Sequence, residues 1–122
     1  MSPPKKSPIP PEKIALYEKL LSTIPGIERR GADNPYTSVN GNMFSLLLSP
    51  AGRMALRLSN EEREQFLKKY KTTLFEAYGA VMKEYVTVPD ALLRNTRELQ
   101  KYLASSYAYA KTLKPKTTNK KR

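Results

Sequence analysis

The stretch VNGNMFSLLLSPAGRMALRL, residues 39–58, decides the fold. Asn40-Gly41 is a strong signal for a two-residue hairpin, because both central positions of such a turn need positive φ, which Asn and Gly adopt at least cost. Strands are therefore expected on either side, over Tyr36 to Val39 and Met43 to Leu48. Ser49-Pro50-Ala51-Gly52 is a second turn. Beyond it Met54, Leu56 and Leu58 alternate with Arg53, Ala55 and Arg57, the period of a strand with one buried face. The result is an antiparallel meander.

Upstream, Pro10 and Pro11 suit the first turn of a helix and Glu12 complements its dipole. Ile14, Tyr17, Leu20, Leu21 and Ile24 share one side of that helix, which Pro25-Gly26 ends. Ile27 to Arg30 reads as a further short strand. Downstream, Ser59 followed by Glu62 fits a capping box, so a helix is expected from Asn60 to Tyr70 with Phe66, Leu67 and Tyr70 as its apolar stripe. Residues 71–78 carry no clear period, Gly79 interrupts, and Val81 to Val88 reads as a strand that Pro89 stops. Pro89 and Asp90 open a helical turn to Leu93. Asn95 with Glu98 caps a longer helix to Leu113, with Leu99, Leu103, Ala110 and Leu113 along one side and Tyr102 and Tyr107 bordering them. The expected class is α+β: an antiparallel β-meander flanked by an N-terminal helix, a middle helix and a long C-terminal helix.

Composition narrows the chemistry. The 122 residues include no cysteine and no histidine, which removes thiolate chemistry, disulfides, the commonest general base and the commonest zinc ligand. No catalytic, cofactor or metal residues are assigned, and the chain is not expected to be an enzyme. Glu61, Glu62 and Glu64 are read as the acidic start of a helix rather than a cation site. Lys83, Glu84 and Tyr85 are neighbours in a strand and should point to alternating faces, which argues against shared acid–base work. The basic N-terminus precedes no apolar segment, so a cytoplasmic chain with no membrane partner is expected.

Net charge is +11, from 22 basic and 11 acidic residues. Residues 1–9 and 114–122 hold seven of the cations, Lys5, Lys6, Lys114, Lys116, Lys120, Lys121 and Arg122, and no acid. Both ends are expected to be disordered basic tails around a domain of residues 10–113, because their polar composition cannot offset chain entropy.

The segments VNGNMF from Val39, MALRLS from Met54, VMKEYVTVPDALL from Val81 and the Ala- and Tyr-rich helix running to Ala110-Lys111-Thr112-Leu113-Lys114-Pro115 resemble, in this order and spacing, the TfoX N-terminal domain family. The family is named after a bacterial competence regulator, and the resemblance spans Ile14 to Lys116. It implies a sheet flanked by helices, no catalysis, and a regulatory or interaction role. Two features depart from the pattern. Regulators of this kind carry a second, helical domain where a basic tail is expected here after the last helix, and Arg30-Gly31-Ala32-Asp33-Asn34 stands where many relatives have a Met-Phe-Gly-Gly segment. The resemblance therefore supports the fold and a binding role, not a direct role in competence.

Within the folded region the candidate contacts are Arg53 and Arg57 on the outward face of one strand, with Lys83 and Tyr85 on another. Residues two or four apart on a strand share a face, and Arg presents a planar fork to phosphates and carboxylates. The plainer reading is solvated charge on an open sheet face. Tyr102, Tyr107 and Tyr109 near Lys101 and Lys111 would suit base stacking, but their helical spacing favours packing beside the core. The leading expectation is a regulatory module that engages a protein partner, a homodimer included. The alternative is a nucleic-acid-associated protein whose basic tails and Arg-bearing sheet face hold phosphates non-specifically and with steep salt sensitivity.

Overall fold

The computed structural model describes residues 9–31, 34–49 and 51–115. Four helices, α1 (Pro11–Leu21), α2 (Asn60–Tyr70), α3 (Asp90–Leu93) and α4 (Thr96–Thr112), accompany five strands, β1 (Tyr36–Val39), β2 (Asn42–Leu48), β3 (Arg53–Arg57), β4 (Leu74–Ala77) and β5 (Ala80–Val88). The α+β class and the expected order of helices hold. All strands pair antiparallel in the spatial order β1-β2-β3-β5-β4. The meander runs through β1, β2 and β3. The chain then crosses through α2 and returns as the β4–β5 hairpin, placed so that β5 lies beside β3 and β4 becomes the edge.

One extra residue in β2 organises the helical layer. Thr37 pairs with Ser45 and Ser38 with Met43, so Phe44 is left over as a bulge. Without it, strict alternation would send Phe44 to the side opposite Ser45. With it, the Ser45 hydroxyl meets Tyr17 of α1 while Phe44 joins the core beneath the helices, its ring 5.3 Å from that of Tyr107. Ser106 of α4 donates to the Phe44 carbonyl at 3.1 Å. Phe44, Leu47, Met54, Leu56, Val86 and Val88 thus form a continuous floor for Tyr17, Leu20, Phe66, Leu93, Leu99 and Leu103.

A buried chain of hydroxyls fixes α1 on this floor. Tyr17 lies 2.7 Å from Ser45, which lies 2.5 Å from Thr37, and all three side chains are inaccessible to solvent. Burial pushes the Tyr17 phenol well above its ordinary value, so it stays protonated and available to bond.

Several boundaries differ from the sequence reading. Ile27 to Arg30 is not a strand; only Arg30 forms a bridge, with Tyr36. The first helix ends at Leu21, and Ile24 packs against the core from the turns that follow. Ile9, grouped by composition with the N-terminal tail, is 3% exposed and sits against Gly52, where a Cβ would come within 3.0 Å of it. Lys5, Lys6, Lys116, Lys120, Lys121 and Arg122 lie outside the described residues; Lys114 lies within them, exposed. The middle helix begins at Asn60 as expected, but the Ser59 side chain makes no capping bond; Arg63 instead bonds the Leu58 carbonyl and Asn60. The Asn95 cap does form, accepting from the Glu98 N–H at 3.2 Å. The strand β4 lay in the stretch without a clear period.

The hydroxyl chain yields an ordered pair of outcomes. Tyr17→Phe leaves Ser45 and Thr37 bonded to each other and should cost about 1 kcal/mol. Ser45→Ala strands two buried hydroxyls and should cost about 1–3 kcal/mol, the larger of the two. Urea denaturation of both variants measures the order directly.

Candidate functional site

The sheet face away from the helices is not the bare charged surface that alternation on β3 suggests. Leu46, Leu48, Ala55, Phe75 and Ala77 form a second buried cluster there, with Tyr36, Met43, Met82 and Tyr85 packed against it. This explains the nearly continuous apolar run in β2, broken only by Ser45, whose residues serve two clusters on opposite faces. Arg53 and Arg57 contribute to the roof of this cluster. The Arg53 guanidinium lies 4.7 Å from the centre of the Phe75 ring and that of Arg57 lies 5.5 Å from Tyr85.

Of the four candidate contacts, the structure brings Arg57 and Tyr85 together as a cross-strand pair. Arg57 Nε donates to Glu84 Oε1 at 2.7 Å, and Nη1 donates to the Met43 carbonyl at 3.3 Å, which also accepts from the Tyr85 hydroxyl at 2.7 Å. Tyr109 of α4 completes the group by donating to Glu84 at 3.3 Å. Arg57 is therefore occupied in joining β2, β3 and β5. Arg53 sits at the far end of β3, roughly 13 Å away at about 3.3 Å per residue, and stays exposed. Lys83 is also exposed and lies next to Glu84 in an irregular stretch of β5: between the pairs Leu74–Val86 and Phe75–Met82, β5 carries Lys83, Glu84 and Tyr85 as three extra residues. The four do not form one patch. The contacts of Glu84 and Tyr109 with this group were missed because no sequence period links the middle of a strand to the far end of a helix.

Electrostatics follow the contacts. Burial alone would raise the Glu84 carboxyl, but the Arg57 bond and charge outweigh it and hold the group below its ordinary value. Burial raises the Tyr85 phenol. Burial and then the Glu84 charge raise that of Tyr109.

A second polar group joins α2 to α4. The Tyr70 hydroxyl donates to Glu98 and lies 3.2 Å from the Tyr102 hydroxyl, while Lys69 Nζ is 3.4 Å from the same carboxylate. Phe66, Tyr70 and Tyr102 stack with centroid separations of 4.7, 5.1 and 5.7 Å. The bond from Tyr70 and then the Lys69 contact hold Glu98 below its ordinary value. The Tyr70 phenol is pushed up by its desolvation and by the carboxylate, so it is neutral and a poor base at ordinary pH. Beside it opens a pocket of about 410 Å³, lined chiefly by Tyr70, Lys71, Pro89, Leu92 and Asn95. A second cleft of about 380 Å³ lies between the end of α1 and Pro25–Arg29, bridged by the 2.8 Å Glu18–Arg29 ion pair.

The most exposed apolar side chains sit together at the tip of the β4–β5 hairpin. Tyr78 is 87% exposed and Val81 47%, and these are the large hydrophobic residues left open among those described. Among the described residues no helix is long and apolar enough to cross a membrane, and no group of three acidic side chains is placed to hold a metal ion. No family model and no curated protein sequence matches the chain.

The Glu84 contact makes stability depend on pH with a definite sign. Because its folded carboxyl binds a proton less readily than the unfolded one, its contribution is present above the ordinary carboxylate range and is lost as pH falls through it. Between about pH 5 and pH 3, Glu84→Gln should therefore show a shallower loss of melting temperature than the parent chain, as thermal denaturation across that range will measure.

Proposed function

We propose that this chain is a non-enzymatic binding module of the TfoX N-terminal type that works by contact with another protein in the cytoplasm. The observation that supports it most is the hairpin tip, where Tyr78 and Val81 stand open to solvent while the other large apolar groups among the described residues are covered. Aromatic side chains at such positions are favoured anchors, since a rigid ring buries much area at low entropic cost. The ordered chain segments that carry the family resemblance supply further support, as they fall on β2, β3, β5 and α4, the elements that frame both clusters.

The nucleic-acid reading has less to stand on within the described residues. Arg57 is held by Glu84 and the Met43 carbonyl, and Arg53 lies at the far end of β3. Phosphate recognition by the fold would have to rest on scattered exposed cations.

The two readings separate by salt and by variant. The full chain, immobilised and exposed to extract, should retain a protein partner at about 500 mM salt, because apolar anchors resist screening. Tyr78→Ser should release it, whereas Arg53→Ala with Lys83→Ala should not. Retention of nucleic acid that falls away steeply between about 50 and 200 mM salt, and that depends on Arg53 and Lys83 but not Tyr78, would overturn the proposal.

A further inference from the structure

The molecule contains two two-residue hairpin turns of the same geometry. In the β1–β2 turn, Asn40 has φ 55° and Gly41 φ 78°; in the β4–β5 turn, Tyr78 has φ 55° and Gly79 φ 78°. Asn suits the first position because it tolerates the left-handed region; a bulky aromatic there is an outlier. Tyr78 carries that strain with its ring in solvent. Strain retained at an exposed aromatic directs attention to what the ring would touch.

The edge strands of the sheet are β1 and β4. On β1, Arg30 and Tyr36 exchange backbone bonds at 2.8 and 2.9 Å, which covers that edge at its first residue. On β4 nothing pairs outside. The Thr73 carbonyl accepts from Thr87 on β5, so alternation turns Thr73, Phe75 and Ala77 inward and leaves the backbone groups of Leu74 and Glu76 facing out. Two β4 edges meeting antiparallel about a two-fold axis must match outward groups to outward groups. A centre at Glu76 would set two carboxylates opposite each other, which is unfavourable. A centre at Leu74 would require Thr72, whose N–H is already bonded to Leu67 at 3.1 Å. A centre at Phe75 pairs Leu74 with Glu76 of the second copy, twice, and uses every free group.

That register places Tyr78 opposite Thr72 of the second copy, next to Tyr70 and Lys71. These residues, with Pro89 and Leu92, line the pocket of about 410 Å³ at the base of the same hairpin. Tip and pocket lie at opposite ends of one β-hairpin, so an antiparallel two-fold brings each tip to the other's base. The symmetry repeats the contact, and the Lys71 ammonium gains a phenol ring.

We propose that the partner of the β4 edge is a second copy of this chain, the two β4 strands pairing antiparallel about Phe75 with each Tyr78 seated in the other's Tyr70–Pro89–Leu92 pocket. The inference rests on the reading of Tyr78 as a protein contact and names the protein.

Sedimentation equilibrium of the full chain from about 1 to 200 µM tests it. The parent should show a reversible monomer–dimer equilibrium. Tyr78→Asn should weaken the dimer by at least about tenfold while raising the melting temperature of the dilute monomer, since Asn fits the turn. Glu76→Pro, which removes an outward N–H without touching the ladder to β5, should abolish the dimer. A parent chain that stays monomeric at about 200 µM overturns self-pairing and leaves a different protein partner for Tyr78 in place. A dimer equally tight in both variants, or a Tyr78→Asn monomer that melts lower, also overturns it. The broader protein-contact reading fails separately, by salt-resistant capture that ignores Tyr78→Ser.

Discussion

The bulge at Phe44 is the constraint on which the helical layer depends. A strand of seven residues can offer three or four side chains to one face, and β2 must seat both α1 and α4. Inserting one unpaired residue puts Phe44 and Ser45 on the same side, a ring for α4 and a hydroxyl for α1. The Ser106 bond to the Phe44 carbonyl then satisfies a backbone group that the interrupted ladder with β1 leaves available. Downstream of the bulge the phase of β2 is reset, which is why Leu46 and Leu48 reach the opposite cluster while Leu47 stays with the helices.

The opposite cluster is small, and its cover is made of side chains rather than a second layer. Tyr36, Met43, Met82 and Tyr85 lie around it, with Arg53 over Phe75. Cations used this way shield apolar atoms with their stems and ring contacts while their charged ends meet water. Arg57 goes further and fastens three strands at once. The same residue type in the same strand, four positions apart, thus does two different jobs.

What could be read from the sequence follows from how local each signal is. Asn40-Gly41, the alternation from Met54 to Leu58, and the Asn95–Glu98 cap each act within a few residues, and each marks an observed element. The strand β4 has four residues and is followed by Tyr78, a poor turn signal, so neither length nor turn chemistry announced it. Ile27 to Arg30 has a strand-like composition, but only Arg30 finds a backbone partner. The bulge was hidden because Met43 to Leu48 is apolar almost throughout and shows no alternation from which a phase slip can be read. At the candidate site, Arg57 and Tyr85 were legible through strand alternation. Glu84, Tyr109 and the Tyr70–Glu98 group depend on contacts 25 to 28 residues apart in the chain, beyond any local pattern.

The two ends of the described chain are fastened at different places. Ile9 rests on Gly52 beside the β2–β3 turn, whereas the Lys114 carbonyl accepts from Asn42 at the start of β2. Those anchors are a strand length apart, roughly 20 Å at about 3.4 Å per residue. The described chain therefore begins and ends near opposite ends of β2.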